Sequence, residues 1–172
     1  MADQTVKPVL PDGIVAVVKE ECATCHSVAS VLGQLAATTT LTVYTQDDPT
    51  FPGDPAATHD ADLAVSWHHD IETVPTVIRV VEGVEVERTV GWHRDEWERV
   101  TGVSGLGPDL PAMRPGCGSM SVDPDLVEVL AVRFGATVLA SRRIDVADAE
   151  DDIEMMFTRG WSDGLPVVPP TE

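Results

Sequence analysis

The sequence predicts an α/β fold in which a mixed β-sheet is flanked by helices. Strand-like and helix-like segments alternate over residues 1–104. An early strand–helix–strand order implies a right-handed crossover between parallel strands. Two β-rich runs then meet at Glu82-Gly83, which is a hairpin signal and predicts an antiparallel pair. Parallel and antiparallel strands together make the predicted sheet mixed.

The residue types along the chain predict where each helix, strand and loop lies. Apolar and β-branched runs mark the strands, the spacing of Val28, Val31 and Leu35 marks the first helix, and prolines break the longest loop. In order, the predicted elements are a strand (14–18), a helix (23–37), a strand (41–44), a loop (46–59), a short helix (61–69), two strands (76–81 and 84–90) and a closing helix (93–100).

The second part of the chain is organised differently. Residues 102–118 are rich in glycine and proline, which predicts a linker or an irregular loop. After it, 125–134 fits a helix or a strand, 138–144 a strand and 146–159 a helix, and a proline-rich tail should be extended. We therefore divide the chain into one domain, residues 1–104, and a C-terminal α+β extension, residues 105–172.

Charge and composition exclude several classes of partner. The chain has 172 residues and a formal net charge of −18 at pH 7, which argues against binding to nucleic-acid backbones or anionic membrane surfaces. No apolar run has the length of a membrane span, and residues 1–4 lack the features of a signal peptide. We expect a cytoplasmic protein, whose exposed cysteines stay reduced or cycle.

Cys22 and Cys25 form a C-x-x-C pair between a predicted buried strand and a predicted helix. At the start of a helix, unpaired amides and the helix dipole favour a thiolate, the species that attacks disulfides. The pair predicts a dithiol redox centre. A pair of buried thiols, or half of a zinc or iron–sulfur site that includes His26, are the alternatives.

Several spaced features agree with one known arrangement. They are the Cys22–Cys25 pair at a strand–helix junction, Val74-Pro75-Thr76 before the hairpin, Gly83 in its turn, and Gly91 after its last strand. Together they resemble the thioredoxin-like superfamily over residues 10–102, approximately. The predicted fold class is thus a thioredoxin-like mixed sheet with a Gly/Pro-rich linker and a C-terminal extension.

The resemblance implies roles for individual residues. In the family, the proline matching Pro75 follows a cis peptide bond and faces the dithiol. Such a bond would let the backbone of Val74 pair with an extended substrate, with Thr76 beside it; an ordinary trans proline opening a strand is the alternative. Cys22, nearer the helix start, would attack, and Cys25, one turn in, would resolve the mixed disulfide.

The sequence departs from the family around the cysteines. General disulfide reductases of the family usually carry a tryptophan before the first cysteine and Gly-Pro between the two. Here Glu20-Glu21 precede Cys22, and Ala23-Thr24 lie inside the motif. Two carboxylates should disfavour the Cys22 thiolate, against the helix dipole. The departures favour a specific protein partner over broad reductase activity.

Two auxiliary residues complete the candidate site. His26 as a cation would stabilise a thiolate and as a neutral base could accept a proton; an exposed histidine with no such role is the alternative. Cys117 lies between Gly116 and Gly118, which predicts a flexible, accessible loop. It would serve as a third redox thiol, as a metal ligand, or in neither role.

The tail carries a second resemblance. Residues 160–171 resemble the opening of proteins in the UGSC family, named after a motif with selenocysteine or cysteine. This resemblance implies that the chain works beside such a protein or a larger enzyme subunit. The leading hypothesis is a thiol–disulfide oxidoreductase without a resident metal or cofactor. A binding module of an enzyme complex and a metal carrier using Cys22, Cys25 and His26 are the alternatives.

Overall fold

The computed structural model describes residues 7–135 and Gly160. The chain divides into two compact units, Met1–Thr137 and Val138–Glu172, and all elements below lie in the first. The predicted strand at 138–144, the helix at 146–159 and the extended tail fall outside the described residues. The first unit extends past the predicted boundary at residue 104, because the chain after it packs back onto the sheet.

The core of the first unit is a five-stranded mixed sheet of order β3-β2-β1-β5-β6. In chain order the elements are β1 (Gly13–Val18), α1 (Ala23–Thr38), β2 (Leu41–Thr45), β3 (Thr58–His59), α2 (Ala64–His68), β4 (Thr73–Val74), β5 (Thr76–Val81), β6 (Val84–Val90), β7 (Trp92–His93), α3 (Arg94–Thr101), β8 (Met113–Arg114), β9 (Cys117–Gly118), a short 3₁₀ helix (Met120–Val122) and α4 (Val127–Arg133). The predicted α/β class with a mixed sheet is confirmed.

Strand β1 is the central strand and carries the candidate site at its end. It runs parallel to β2 and antiparallel to β5. Its residues from Ile14 to Val18 are all buried, as expected for a strand covered on both faces. Helix α1 follows after four residues and buries Val28, Val31 and Leu35, which confirms the predicted helical spacing.

The predicted hairpin is also confirmed. Strands β5 and β6 pair antiparallel from Thr76–Val90 to Val81–Val84. Glu82 and Gly83 both have positive φ, 53° and 72°, the backbone of a turn whose twist matches that of its strands. The closing helix α3 follows, and Trp92 and Trp97 pack edge to face in the core with ring centroids 5.1 Å apart.

Two predicted segments differ from the structure, and a third is decided by it. The loop at 46–59 contains the short edge strand β3, which pairs with β2. The short helix covers only Ala64–His68, because Leu63 has φ 59° and the Asp60 carboxylate caps the first turn through the amides of Val65 and Ser66. The ambiguous run at 125–134 forms helix α4.

The predicted linker contains a segment that packs on the sheet domain. We call residues 113–121 the strap. Its β8 pairs antiparallel with β7, and its β9 pairs antiparallel with β4. Just before the strap, Leu106 is buried and Arg94 donates to the carbonyl of Gly107. Of the two predicted alternatives, a linker or an irregular loop, this segment is an irregular loop that backbone pairing at both ends holds on the domain.

A buried glutamine anchors the end of the strap. Gln46 is 2% exposed. Its Nε2 donates to Ser66 Oγ at 2.7 Å and Ser119 Oγ at 2.6 Å, and its Oε1 accepts from the Met120 amide at 3.0 Å. Ser121 Oγ donates to the Ile71 carbonyl at 2.6 Å. The strap is thus tied to the loop after β2 and to the chain before β4.

Gln46→Ala is expected to lower the free energy of unfolding by about 2–4 kcal/mol, since it leaves several buried polar groups without partners. Gln34→Ala is the matched control, because Gln34 is exposed and only its Oε1 is used, by the Gly107 amide at 3.0 Å; it should change stability by less than about 0.5 kcal/mol. Urea unfolding measures both. Equal effects of the two substitutions would contradict the anchoring role.

Candidate functional site

Cys22 begins helix α1. It is the N-cap residue, with extended backbone at φ −136° and ψ 110°, and its Sγ accepts a hydrogen bond from the Cys25 amide at 3.3 Å. The N-cap is where unpaired amides and the helix dipole favour an anion. The strand–helix junction that the sequence predicts therefore places this sulfur where a thiolate is stabilised.

The pKa of the Cys22 thiol lies below that of an ordinary cysteine. Burial alone would raise this pKa, but hydrogen bonds outweigh it: the Cys117 and Cys25 thiols and the amides of Cys25 and Thr24 donate to the sulfur. Hydrogen bonds to the charged form are the dominant stabilising effect. Of the three cysteines, Cys22 is the one whose thiol pKa is lowered; the sequence had left open whether the helix dipole or the neighbouring carboxylates would dominate.

Cys25 behaves in the opposite way. Burial raises the pKa of its thiol far above the ordinary value, and donation of its S–H to Cys22 and the charge of the Cys22 thiolate raise it further. Cys25 has no exposed surface. One thiol is therefore ionised at lower pH while its neighbour keeps its proton, the asymmetry that stepwise disulfide exchange needs.

Val74 lies on the other side of Cys22. Its carbonyl accepts a hydrogen bond from the Cys22 thiol, with sulfur and oxygen 3.6 Å apart. The Val74–Pro75 peptide bond is cis. Thr76 is buried, and its Oγ1 donates to the Thr73 carbonyl at 2.6 Å. The structure thus brings the Val74 carbonyl to the Cys22 thiol, with Pro75 next in the chain, whereas the Thr76 hydroxyl bonds to Thr73 within its own segment.

Cys117 lies in the same region of the structure as the two cysteines of the motif. Strand β9 places it opposite Val74 in the β4–β9 pair, and hydrogen bonding from its thiol is one cause of the lowered pKa of Cys22. Burial is the main cause that raises the pKa of Cys117, and the thiolate of Cys22 adds to it. The three cysteines therefore lie in one region of the structure, around Cys22, and all three are free.

Two features of this region differ from what the sequence suggested. The N-terminal position of Cys22 favours greater exposure than that of Cys25, yet both thiols are buried, at 1% and 0% exposed. The glycines around Cys117 were expected to give a flexible loop, but a Cβ on Gly116 would lie 2.7 Å from the Val74 carbonyl oxygen and 2.4 Å from Thr73 Cγ2. Gly116 is needed for close backbone approach, and the Cys117 backbone is paired.

Two polar side chains hold the strap beside the dithiol. Thr24, inside the C-x-x-C motif, donates through Oγ1 to the Pro115 carbonyl at 2.6 Å. Lys19 Nζ donates to the Gly118 carbonyl at 2.9 Å. Sequence reasoning missed both residues, because their partners lie 91 and 99 positions away. For Thr24, the sequence signal was a threonine at the position where general disulfide reductases of the thioredoxin-like superfamily usually carry proline.

Asp47 is a further residue that sequence reasoning missed. Its carboxylate accepts from the amides of Glu20 at 2.7 Å, Glu21 at 2.9 Å and Asp48 at 2.8 Å. Burial would raise the pKa of Asp47, but these bonds outweigh it and the pKa is lowered. Asp47 is therefore a positioning residue that fixes the turn leading into Cys22.

The contacts of His26 are with Glu20 and Phe51, not with the thiolate that it was expected to stabilise. Its Nε2 lies 3.3 Å from a carboxylate oxygen of Glu20, and its ring packs against Phe51 with centroids 4.9 Å apart. It is not among the groups that shift the pKa of Cys22. Within residues 7–135, no group of three or more His, Cys, Asp or Glu side chains is arranged to hold a metal ion. No helix in that range is long and apolar enough to cross a membrane.

The pH at which the first thiolate forms is expected to depend on Cys117. Because the Cys117 thiol donates to Cys22, Cys117→Ala should raise the apparent pKa of that first step. Ultraviolet thiolate absorbance during a pH titration measures it. In the unaltered protein the step should lie below the ordinary cysteine pKa of about 8.5. It should be lost in Cys22→Ser, and retention there would contradict the assignment.

Comparison with known proteins adds no family to this description. A scan against protein-family models and a search of curated proteins both found no match. Function is therefore inferred from the geometry of the three thiols and of the groups around them.

Proposed function

We propose that this protein is a thiol–disulfide oxidoreductase with a thioredoxin-like fold, whose redox centre is the pair Cys22 and Cys25. One observation carries the proposal: an N-cap thiol of lowered pKa lies next to a buried thiol of raised pKa. Neighbouring thiols with pKa values shifted in opposite directions are what attack and resolution require.

The proposed thiol–disulfide exchange needs no resident cofactor, because the dithiol supplies both electrons. The Cys22 thiolate attacks one sulfur of a substrate disulfide, a new S–S bond forms to Cys22, and the other substrate sulfur leaves as a thiolate. Cys25 then loses its proton and attacks Cys22. The Cys22–Cys25 disulfide forms, and the second substrate sulfur leaves as a thiolate. Two electrons pass from the dithiol to the substrate.

The surroundings of the dithiol support a specific protein partner. Cys22 is 1% exposed, and the strap lies beside it, paired with Val74 and bound to Thr24, so an arbitrary disulfide does not meet a free thiolate. We place the reaction in a reducing compartment such as the cytoplasm, where a dithiol cycles. The tail resemblance makes a UGSC-family protein or another enzyme subunit the first partner to examine.

A redox titration with disulfide mapping tests the proposal. The protein is equilibrated in glutathione buffers of graded potential, its thiols are blocked, and its disulfides are mapped by mass spectrometry. A Cys22–Cys25 disulfide that forms and is reduced reversibly supports the oxidoreductase. Thiols that stay reduced throughout, or stoichiometric metal in protein purified without chelator, would contradict it.

A further inference from the structure

The strap occupies the edge at which a peptide substrate would bind. Strand β4 is only Thr73–Val74, and β9 pairs with it antiparallel, Thr73 with Gly118 and Val74 with Cys117. An extended peptide that adds a strand to a sheet edge is held in this way by its main chain. The backbone beside the dithiol is thus already paired with a segment of the same protein.

The residue of β9 that lies opposite Val74 is Cys117, and the Val74 carbonyl accepts a hydrogen bond from the Cys22 thiol at 3.6 Å. The Cys117 thiol also lowers the pKa of Cys22, which agrees with this placement. Cys22 is 1% exposed and Cys25 is fully buried, whereas Cys117 is half-buried. The thiols therefore form a series from the surface inward, in which Cys117 is outermost, Cys22 is in the middle and Cys25 is innermost.

The position of Cys117 is fixed from several directions. Thr24 and Lys19 bind the carbonyls of Pro115 and Gly118, on either side of Cys117. Gly116 lets the strap approach Val74 to a distance that no side chain would permit. Strand β8 pairs with β7 before it, and Ser119 and Met120 bind Gln46 after it. Contacts on both flanks thus hold one thiol against another.

We propose that Cys117 is a third redox thiol, which takes the place of a substrate cysteine and passes a disulfide bond between a partner and Cys22. The proposal rests on the oxidoreductase function of the Cys22–Cys25 pair. It assigns to the protein a relay of two exchange steps, in which the partner reacts with the outermost thiol.

The relay consists of three successive thiol–disulfide exchange steps, each of which forms one S–S bond and breaks another. Cys117, after losing its proton, attacks a partner disulfide, which gives a Cys117–partner disulfide and releases one partner thiolate. The Cys22 thiolate attacks Cys117 Sγ, which forms a Cys22–Cys117 disulfide and releases the second partner thiolate. Cys25, after losing its proton, attacks Cys22 Sγ and releases Cys117 as a thiolate. The products are the Cys22–Cys25 disulfide and two partner thiols, so the partner disulfide is the oxidant.

The first test removes the innermost thiol. Reduced Cys25→Ser is treated with stoichiometric oxidised glutathione, and its disulfides are mapped. We expect an intramolecular Cys22–Cys117 disulfide and no bound glutathione. The double variant Cys25→Ser with Cys117→Ser is the control and should keep glutathione on Cys22. A Cys25→Ser protein that keeps glutathione on Cys22, with Cys117 free, would overturn the proposal.

The second test keeps the dithiol intact. Cys117→Ser should slow oxidation of the Cys22–Cys25 pair by oxidised glutathione at least about tenfold, because the outermost thiol is gone while the strap remains. Gly118→Ala is the matched control: an added Cβ there meets no atom within 4 Å, so the rate should not change.

The outcomes separate the two proposals. An unchanged rate in Cys117→Ser, with a normal Cys22–Cys25 disulfide, overturns the relay and leaves the oxidoreductase standing. A protein without any Cys22–Cys25 disulfide overturns the oxidoreductase itself.

Discussion

Cys22→Ser is expected to abolish disulfide exchange, and Cys25→Ser is expected to stop it with Cys22 held in a disulfide, to the substrate or to Cys117. Cys22 receives the hydrogen bonds that stabilise an anion, and a serine hydroxyl in its place would not be ionised or attack sulfur at neutral pH. Cys25, buried and protonated, acts only in the step that releases Cys22. Turnover of a protein disulfide and mass spectrometry of the trapped species measure the two effects.

Ser30→Ala is the matched control for these substitutions. Ser30 is an exposed residue on the same helix α1, so its loss should leave turnover within experimental error of the unaltered protein. Wild-type turnover in both cysteine variants would show that the dithiol has no catalytic role. Where Cys117 resolves the adduct, the trapped species in Cys25→Ser is the internal Cys22–Cys117 disulfide, which mapping distinguishes from a substrate adduct.

Gly116→Ala is expected to uncover Cys22. A Cβ at this position would meet the Val74 carbonyl oxygen at 2.7 Å, and backbone atoms cannot move aside as a flexible side chain can. Overpacking of this kind costs about 1–3 kcal/mol, and about 1.4 kcal/mol is a factor of ten in an equilibrium. The reaction of Cys22 with a small alkylating reagent should therefore become about tenfold faster, since modification follows the population of open strap.

Gly118→Ala provides the comparison within the same strand. Its Cβ meets nothing within 4 Å, and Gly118 is not among the glycines with positive φ. Alkylation of Cys22, followed residue by residue with mass spectrometry, should match that of the unaltered protein. Equal rates in Gly116→Ala and Gly118→Ala would mean that the strap does not control access to the dithiol.

Local signals account for the part of the fold that the sequence predicted. The apolar run ending at Val18, the spacing of Val28, Val31 and Leu35, and the turn at Glu82-Gly83 each depend on neighbours in the chain. Such periodic and turn signals are the strongest that one sequence carries. They placed Cys22 at the end of a buried strand and the start of a helix, and the structure agrees.

The strap could not be predicted in this way. Its strands are two residues long, and their partners β4 and β7 are equally short, so no periodicity marks them. Glycine at 116 was interpreted as a sign of flexibility, whereas it permits close packing against Val74. Composition does not distinguish these uses of glycine, because the difference lies in contacts between distant parts of the chain.

The same limitation applies to the thiol of Cys22. The sequence left open whether the helix dipole or the carboxylates of Glu20 and Glu21 would dominate its pKa. The structure pairs the Glu20 carboxylate with His26 and supplies Cys22 with hydrogen bonds from Cys117 instead. A thiol's pKa depends on the donors that the fold brings to it, and one of these comes from a strand that the sequence did not reveal.

The reduction potential of the Cys22–Cys25 pair tests the central claim most directly. Equilibration with glutathione buffers, with the two thiols quantified by mass spectrometry, gives its value. We predict a single reversible two-electron couple between about −120 and −300 mV, the range of catalytic dithiols and of the buffers that they meet. Cysteines that remain reduced across that range, or a disulfide that does not exchange with glutathione, would contradict the proposed function.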